Sequence, residues 1–268
     1  MIEIKEISLA DTRRLYQYKA NLHYEIPLTI KGFDYGWILS AHNWQKNETV
    51  LDVGGGYSSL PNFLCTEYGC ETWVADDFGI SANDKFWTRN LSPHDHIKNF
   101  PETHYVLERV GNPETSSLQN NYFDVVYSAS ALEHVPATMT PAVWQHMLDL
   151  LKPGGELIHA VDMTFPSNGG LRKMIQAAIF DQFPFLFSKK MRLDHYLATP
   201  KNYARIVLQT LSVSPIPPMK NINVWRMCLD PEVITDSLEF GWNRIVKDGM
   251  KDYRHNRFGS LLIHLIKN

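Results

Sequence analysis

Thr49-Val50-Leu51-Asp52-Val53-Gly54-Gly55-Gly56 is the stretch that decides how this chain is organised. Apolar and β-branched residues, interrupted by one aspartate, make a short strand, and three glycines break it into a turn. Glycine serves where a backbone must turn sharply, accept positive φ, or let another group approach where a Cβ would clash. If a helix follows, its free N–H groups and dipole attract negative charge or hydrogen-bond acceptors. Ser58 to Tyr68 reads as that helix. Taken alone, the triple glycine fits a purely structural turn as well.

Working outward, Thr72-Trp73-Val74-Ala75 reads as a second strand, His104 to Val110 as a third and Phe123 to Ser128 as a fourth. Pro141 to Leu151 reads as a helix, with proline in its first turn and apolar spacing at Val143, Met147, Leu148 and Leu151. It stops at Lys152-Pro153-Gly154-Gly155, and Glu156 to Asp162 resumes as a fifth strand. Strands alternating with helices predict an α/β fold with a mostly parallel, doubly wound sheet and helices on both faces. Upstream, residues 8 to 25 look helical, and Pro27 to Gly36 looks like a turn-like patch.

The alternation breaks after Met163. From there to about Trp225 the chain is helical, aromatic and rich in proline, lysine and arginine, with no core pattern of its own, which reads as an insertion. The pattern returns with a helix from Asp230-Pro231 to Phe240, then Trp242 to Val246 and Ser260 to Ile266 as closing strands. The expected organisation is a single domain over residues 1–268. It comprises an N-terminal helical and aromatic segment (1–45), a core (46–162), a helical lid insertion (163–225) and a return to the sheet (226–268).

The 268 residues are 44% hydrophobic and 21% charged, as in soluble globular proteins. A net charge of -3 speaks against a nucleic-acid partner. Cys65, Cys70 and Cys228 form no CxxC pair and no zinc spacing, so no metal is expected and the thiols read as buried, in a reducing compartment. The opening MIEIKEISLADTRR carries acids and lacks an apolar signal core. No uncharged apolar run approaches the roughly 20 residues that span a bilayer. A soluble, cytoplasmic protein without integral membrane association is the expectation.

Asp52 sharpens the reading of the glycine turn. A carboxylate at the end of a buried strand is costly without a positive partner or donors. It disfavours a pyrophosphate at that turn and suits an amino-acid-bearing sulfonium. A second acidic pair, Asp76-Asp77, follows the second strand at the spacing where ribose hydroxyls are captured. Capping a solvated turn is its other reading.

VLDVGGGYS resembles the first motif of class I S-adenosylmethionine-dependent methyltransferases, and VADDF resembles their second-strand acidic motif. RVGNPETSSLQNNYFDVVYSASALEHV resembles the third and fourth strands of the small-molecule "type 11" group, and LLKPGGELIHAVDM its fifth-strand motif. The match in order and spacing spans residues 49 to 163, and RFGSLLIHLIKN resembles the closing hairpin strand. The resemblance implies a Rossmann-like sheet with an antiparallel last strand, and S-adenosylmethionine as cofactor with S-adenosylhomocysteine as product. Asp52, Gly54, Gly55 and Gly56 would line the methionine part. Asp76 would hold the ribose hydroxyls, or Asp77 if the register slips by one. Asn112 would face the adenine amino group, where an amide oxygen accepts as an aspartate does. Pro113 departs from the pattern because it has no backbone N–H. Ser128 would end the fourth strand beside the methionine end, and Ser58 replaces the motif's last glycine.

Methyl transfer from a sulfonium needs alignment more than reactive side chains, and a base only for a hydroxyl, phenol or protonated amine acceptor. His134, in Leu132-Glu133-His134-Val135, is one candidate, with capping and packing as its other reading. Asp162, ending the fifth strand, and His195, beside Asp194, are the others. His159 lies inside a strand and reads as a satisfied core histidine.

Leu171 to Ile206 carries Arg172, Lys173, Lys189, Lys190, Arg192, Lys201 and Arg205 against Asp181 and Asp194, interleaved with aromatics. It reads as a helix pair with a solvated basic side, as a lid over an acceptor pocket, or, through AIFDQFPFLF, as a homodimer contact or membrane-surface wedge. The expected activity is methyl transfer to an oxygen or nitrogen of a small metabolite, anionic or aromatic and apolar. The alternatives are a nucleotide-cofactor Rossmann enzyme, which would want a pyrophosphate loop without Asp52, and a non-catalytic cofactor-binding or scaffold protein.

Overall fold

The computed structural model describes residues 2–6, 31–79, 92–136, 138–165, 179, 200–212 and 257–268. Its strands are β1 (Ile2–Glu6), β2 (Thr49–Val53), β3 (Glu71–Ala75), β4 (His104–Val106), β5 (Phe123–Ala129), β6 (Leu151–Phe165) and β7 (Arg257–Ile266). They form one sheet in the order β1-β7-β6-β5-β2-β3-β4. Neighbours from β4 across to β6 pair in parallel, while β7 is antiparallel to both β6 and β1. The expected mostly parallel sheet with an antiparallel last strand is therefore present. From β2 the chain order runs outward in both directions, so the carboxyl ends of β2 and β5 flank a topological switch point, where ligands of such sheets bind.

Period-two alternation sends successive β2 side chains to opposite faces. Val50 packs with Val125, Tyr127 and Ile158 under helices α1 (Lys31–Ala41) and α2 (Leu60–Phe63), which contribute Trp37, Ile38, Leu60 and Phe63. Leu51 and Val53 pack with Val126, Leu157 and Val161 on the other face. That face is covered by α4 (Thr140–Leu150), through Trp144 and Met147, and by α5 (Pro200–Thr210), through Tyr203 and Val207. A short helix, α3 (Pro93–Asn99), precedes β4 and is capped by Ser92, whose hydroxyl accepts the Asp95 N–H.

Several elements differ from the sequence expectation. Lys31–Ala41 is a helix that takes in the second half of the expected turn-like patch, Pro27 to Gly36, because Tyr35, Trp37, Ile38 and Leu39 are all buried. Burial of every residue from Asp34 to Leu39, on all sides of the helix, outweighs the weak helix propensity of Gly36. The helix after the glycine turn is only Leu60–Phe63, continuing as a π-helical turn (Leu64–Tyr68) that ends at Gly69 with φ +72°. Strand β6 starts at Leu151, so Lys152-Pro153-Gly154-Gly155 lies within it as an irregularity. Phe123 faces Leu151, but Val125 already faces Glu156.

The outer edge of β7 is covered by β1, which the sequence reading did not separate from the N-terminal segment. The expected helices at 8–25 and 230–240, the expected strand Trp242 to Val246, and most of 163–225 lie outside the described residues. Within that last span α5 is helical, and Ala204, Val207 and Leu208 are fully buried. Among the described residues, no helix is long and apolar enough to cross a membrane. Cys70 is buried and its thiol is pushed up to about 12 by that burial. Cys65 is half-buried and Cys228 lies outside the described residues.

Candidate active site at the switch point

Asp52 is 1% exposed and sits level with Tyr127 across the parallel β2–β5 pair. Burial, then the charge and a hydrogen bond of Asp52, hold the Tyr127 phenol well above its usual range. Burial and the same charge also raise Tyr105, so phenols gather around this carboxylate.

The turn that follows is tight at its first two positions and left-handed at its first and third. Gly54 has φ +74°, donates its N–H to the Ala75 carbonyl at 2.9 Å, and has no room for a Cβ, which would lie 2.6 Å from Ala131 Cβ. A Cβ on Gly55 would lie 2.6 Å from Asp52 Oδ2, and Gly56 has φ +50°. Here the three glycines make a cradle whose floor is Asp52 and whose wall is the chain after β5.

The two neighbouring aspartates after β3 part company. Asp76 accepts the Gly56 N–H at 2.9 Å on Oδ2 and the Phe78 N–H on Oδ1. Burial raises its pKa; the Phe78 and Gly56 bonds and Arg109 pull against that rise, while Asp77 adds to it. Asp77 instead accepts the Gly79 N–H at 3.0 Å and Arg109 Nε at 2.7 Å. Beside them Tyr57, Phe78 and His96 form an edge-to-face aromatic group, with Tyr57 5.1 Å from Phe78 and 5.3 Å from His96.

Asn112 is exposed on the loop between β4 and β5, just after Gly111, and Pro113 is exposed too. Ser128 is fully buried, and alternation from Tyr127 turns its side chain to the face opposite Asp52. The structure thus groups Asp52, Gly54, Gly55, Gly56 and Asp76 closely, with Asp77 turned to Arg109. His134 belongs to a short 3-10 turn, Leu132–His134, and Asp162 lies in β6 opposite Ser260. The side chains of both, and all of His195, fall outside the described residues. His159 is buried and bonded at both nitrogens, to the Ser128 carbonyl at 3.2 Å and the Tyr203 hydroxyl at 3.0 Å. Among the described residues, no group of three or more His, Cys, Asp or Glu side chains could hold a metal ion.

One contact at this mouth escaped sequence reasoning. The Ser130 hydroxyl donates to the Asp34 carboxylate, tying α1 to the residue that follows β5. Asp34 is fully buried and Ser130 has φ +47°. Nothing local in the sequence marks either residue, because their partnership spans most of the core.

Residues 37–196, more than half of the chain, match a family profile described as a methyltransferase domain. The chain belongs to this methyltransferase family. No curated protein matches it in sequence. Among solved structures, the methyltransferase shares its fold with phosphoethanolamine N-methyltransferase 2 of Haemonchus contortus in complex with S-adenosyl-L-methionine. Identity is 15% over 87% of this chain and 52% of that one, with a TM-score of 0.50. The same nematode enzyme with phosphomonomethylethanolamine and S-adenosylhomocysteine aligns at 14% identity, the same coverage and a TM-score of 0.50. This chain spans about half the length of that enzyme. A geranyl diphosphate methyltransferase in complex with S-adenosylmethionine aligns over 97% of this chain and 92% of its own, at 13% identity and a TM-score of 0.46.

Proposed function

We propose that this methyltransferase moves a methyl group from S-adenosylmethionine to an oxygen or nitrogen of a small metabolite. The observation that carries the reading is the pair of carboxylates, Asp52 and Asp76, at the ends of adjacent strands around a glycine turn whose first position has no room for a Cβ. A nucleotide-diphosphate cofactor would bring its negative pyrophosphate against Asp52, which disfavours that alternative. An α-ammonium and a sulfonium suit the same carboxylate.

In this reading Asp52 and the backbone of Gly54, Gly55 and Gly56 hold the methionine end. Asp76, with Asp77 beside it, holds the ribose hydroxyls and Asn112 meets the adenine, while Ser128, its side chain buried on the face opposite Asp52, contributes only through the backbone near the β5 end. When bound, the cofactor supplies a methyl carbon on a sulfonium, ready for in-line displacement by the acceptor. The chain contributes alignment: the rigid glycine turn and the carboxylates fix one reactant, and the mouth between β2 and β5 orients the other. A hydroxyl or ammonium acceptor must also lose a proton, and His134, His195 and Asp162 are the groups proposed to take it. The basic, aromatic span Leu171 to Ile206 favours an anionic or apolar aromatic acceptor. A homodimer contact through that span and a cytoplasmic location belong to the same proposal.

Calorimetry with S-adenosylmethionine and S-adenosylhomocysteine tests the cofactor; absence of binding for both overturns the reading. His134→Ala and His195→Ala, with cofactor affinity measured in parallel, test the base. Undiminished turnover in both variants removes them from that role.

A further inference from the structure

The turn that precedes Asn112 is held from outside the loop. Gly111 donates its N–H to Nδ1 of His146 on α4 at 3.0 Å. It has φ +126°, and a Cβ there would lie 2.8 Å from Cγ2 of Val143, one turn before His146 on the same helix. Helix α4 therefore grips this turn twice, by close contact and by a hydrogen bond. His146 is 1% exposed, so water does not readily replace the imidazole as acceptor. Its Nε2 has no hydrogen-bond partner among the described residues, which leaves the Gly111 bond to orient the ring.

We propose that His146 is a positioning residue for the cofactor's adenine end, holding the Gly111–Asn112 turn while neutral and releasing it when protonated. This rests on the function proposed above, in which Asn112 meets the adenine. The chemistry is that of one lone pair. A neutral imidazole with its proton on Nε2 accepts at Nδ1, whereas an imidazolium has donors at both nitrogens and would oppose the Gly111 N–H. Burial lowers the imidazole from its ordinary value of 6.5. The charged groups that face it, Glu108 from the loop after β4 and Asp149 from α4, pull upward without cancelling that effect. His146 is therefore neutral at neutral pH. Because the cofactor favours the held turn, its affinity falls as pH drops through the lowered value, below 6.5.

The test is calorimetric titration of the full chain with S-adenosylhomocysteine from about pH 7.5 to about pH 5, for wild type, His146→Asn and His146→Ala, with circular dichroism to check folding. An asparagine oxygen reaches roughly the place of Nδ1 and does not titrate. The expected result is a Kd that rises about tenfold toward acid in wild type, a flat profile for His146→Asn near the wild-type neutral value, and a Kd weakened about tenfold at all pH for His146→Ala. If His146→Ala does not fold, the asparagine variant alone decides. A slope that survives in His146→Asn belongs to another group, such as His96, and overturns the assignment while the proposed function stands. Absence of binding by wild type at every pH overturns both.

Discussion

The Asp76 carboxylate accepts the backbone N–H of Gly56, 20 residues earlier in the chain, at 2.9 Å. Its other oxygen accepts the N–H of Phe78. One side chain thus joins the turn after β2 to the turn after β3. An ionised carboxylate offers about four acceptor sites, so roughly two remain for ligand hydroxyls. Asp77 spends its carboxylate on Gly79 and on the guanidinium of Arg109.

Asp76→Ala should therefore raise the Kd for S-adenosylhomocysteine about a hundredfold, since it frees two backbone donors as well as losing ligand bonds of roughly 1.5 kcal/mol or more each. Asp76→Asn keeps one oxygen and should lose about tenfold. Arg109→Ala removes an exposed pair that contributes about 1 kcal/mol at most, and should change Kd by less than about threefold. Calorimetry on the three variants separates these outcomes. A larger loss in Arg109→Ala than in Asp76→Ala would move the ribose contact to the Asp77 side.

Gly54→Ala should lower stability by about 3 kcal/mol and abolish cofactor binding, because both φ +74° and the 2.6 Å approach to Ala131 oppose a Cβ. Gly154→Ala is the matched control. Its φ of +79° is nearly the same, but a Cβ there meets nothing within 4 Å. That variant should lose only about 1 kcal/mol, from backbone conformation alone. Urea denaturation of both isolates the clash as the difference. Equal losses would mean that Ala131 yields and the turn is not closely packed.

The parts of this methyltransferase legible in its sequence are those set by near neighbours. Asp52 and its glycines announce a strand and turn within eight residues, and Val143 with Met147 announces a helix by its own period. The parts set by remote partners left no local trace. His146 matters because it meets Gly111, 35 residues earlier, and Asp34 because it meets Ser130, 96 residues later. Strand β1 was hidden for the same reason, since its partner β7 lies at the other end of the sequence. Helix α1 was misread because its glycines and aromatics look like a turn, whereas the sheet beneath it supplies the burial that makes it helical.

At the opposite end of the sheet, Asp124 predicts a pH dependence of stability. Its Oδ2 accepts the N–H and hydroxyl of Thr49, both at 2.9 Å, and both oxygens lie 2.8 Å from Lys152 Nζ. Burial raises this carboxyl, but the bonds from Lys152 and Thr49 outweigh it and leave the pKa below the ordinary 3.8. A folded value below the unfolded one stabilises fully above 3.8, and the gain is lost as pH falls through the folded value. Both side chains are about a third exposed or more, so solvent screening holds the pair's electrostatic gain to about 1 kcal/mol or less. Urea midpoints measured across the acid range should fall more steeply in wild type than in Asp124→Asn. Parallel curves would assign acid sensitivity elsewhere.

The bond between His159 and Tyr203 ties α5 to the sheet, and its direction can be worked out. The Ser128 carbonyl at Nδ1 can only accept, so Nδ1 carries the proton and Nε2 accepts from the Tyr203 hydroxyl. Burial, and then the charge of Glu133, keep that phenol protonated well above its usual range, so the donor persists at any ordinary pH. Tyr203→Phe leaves the buried Nε2 without this donor and should cost about 1–2 kcal/mol in urea denaturation. Because His159 and Tyr203 pack on the face of the sheet opposite Asp52, cofactor affinity should stay within about twofold of wild type. A double-mutant cycle with His159→Phe should show the two costs to be non-additive, since the double variant removes the Tyr203 hydroxyl and the Nε2 acceptor together, and only the loss at the Ser128 carbonyl remains. Additive losses would mean that each residue stabilises through its own packing, and that the helix is held to the sheet by Ala204, Val207 and Leu208 alone.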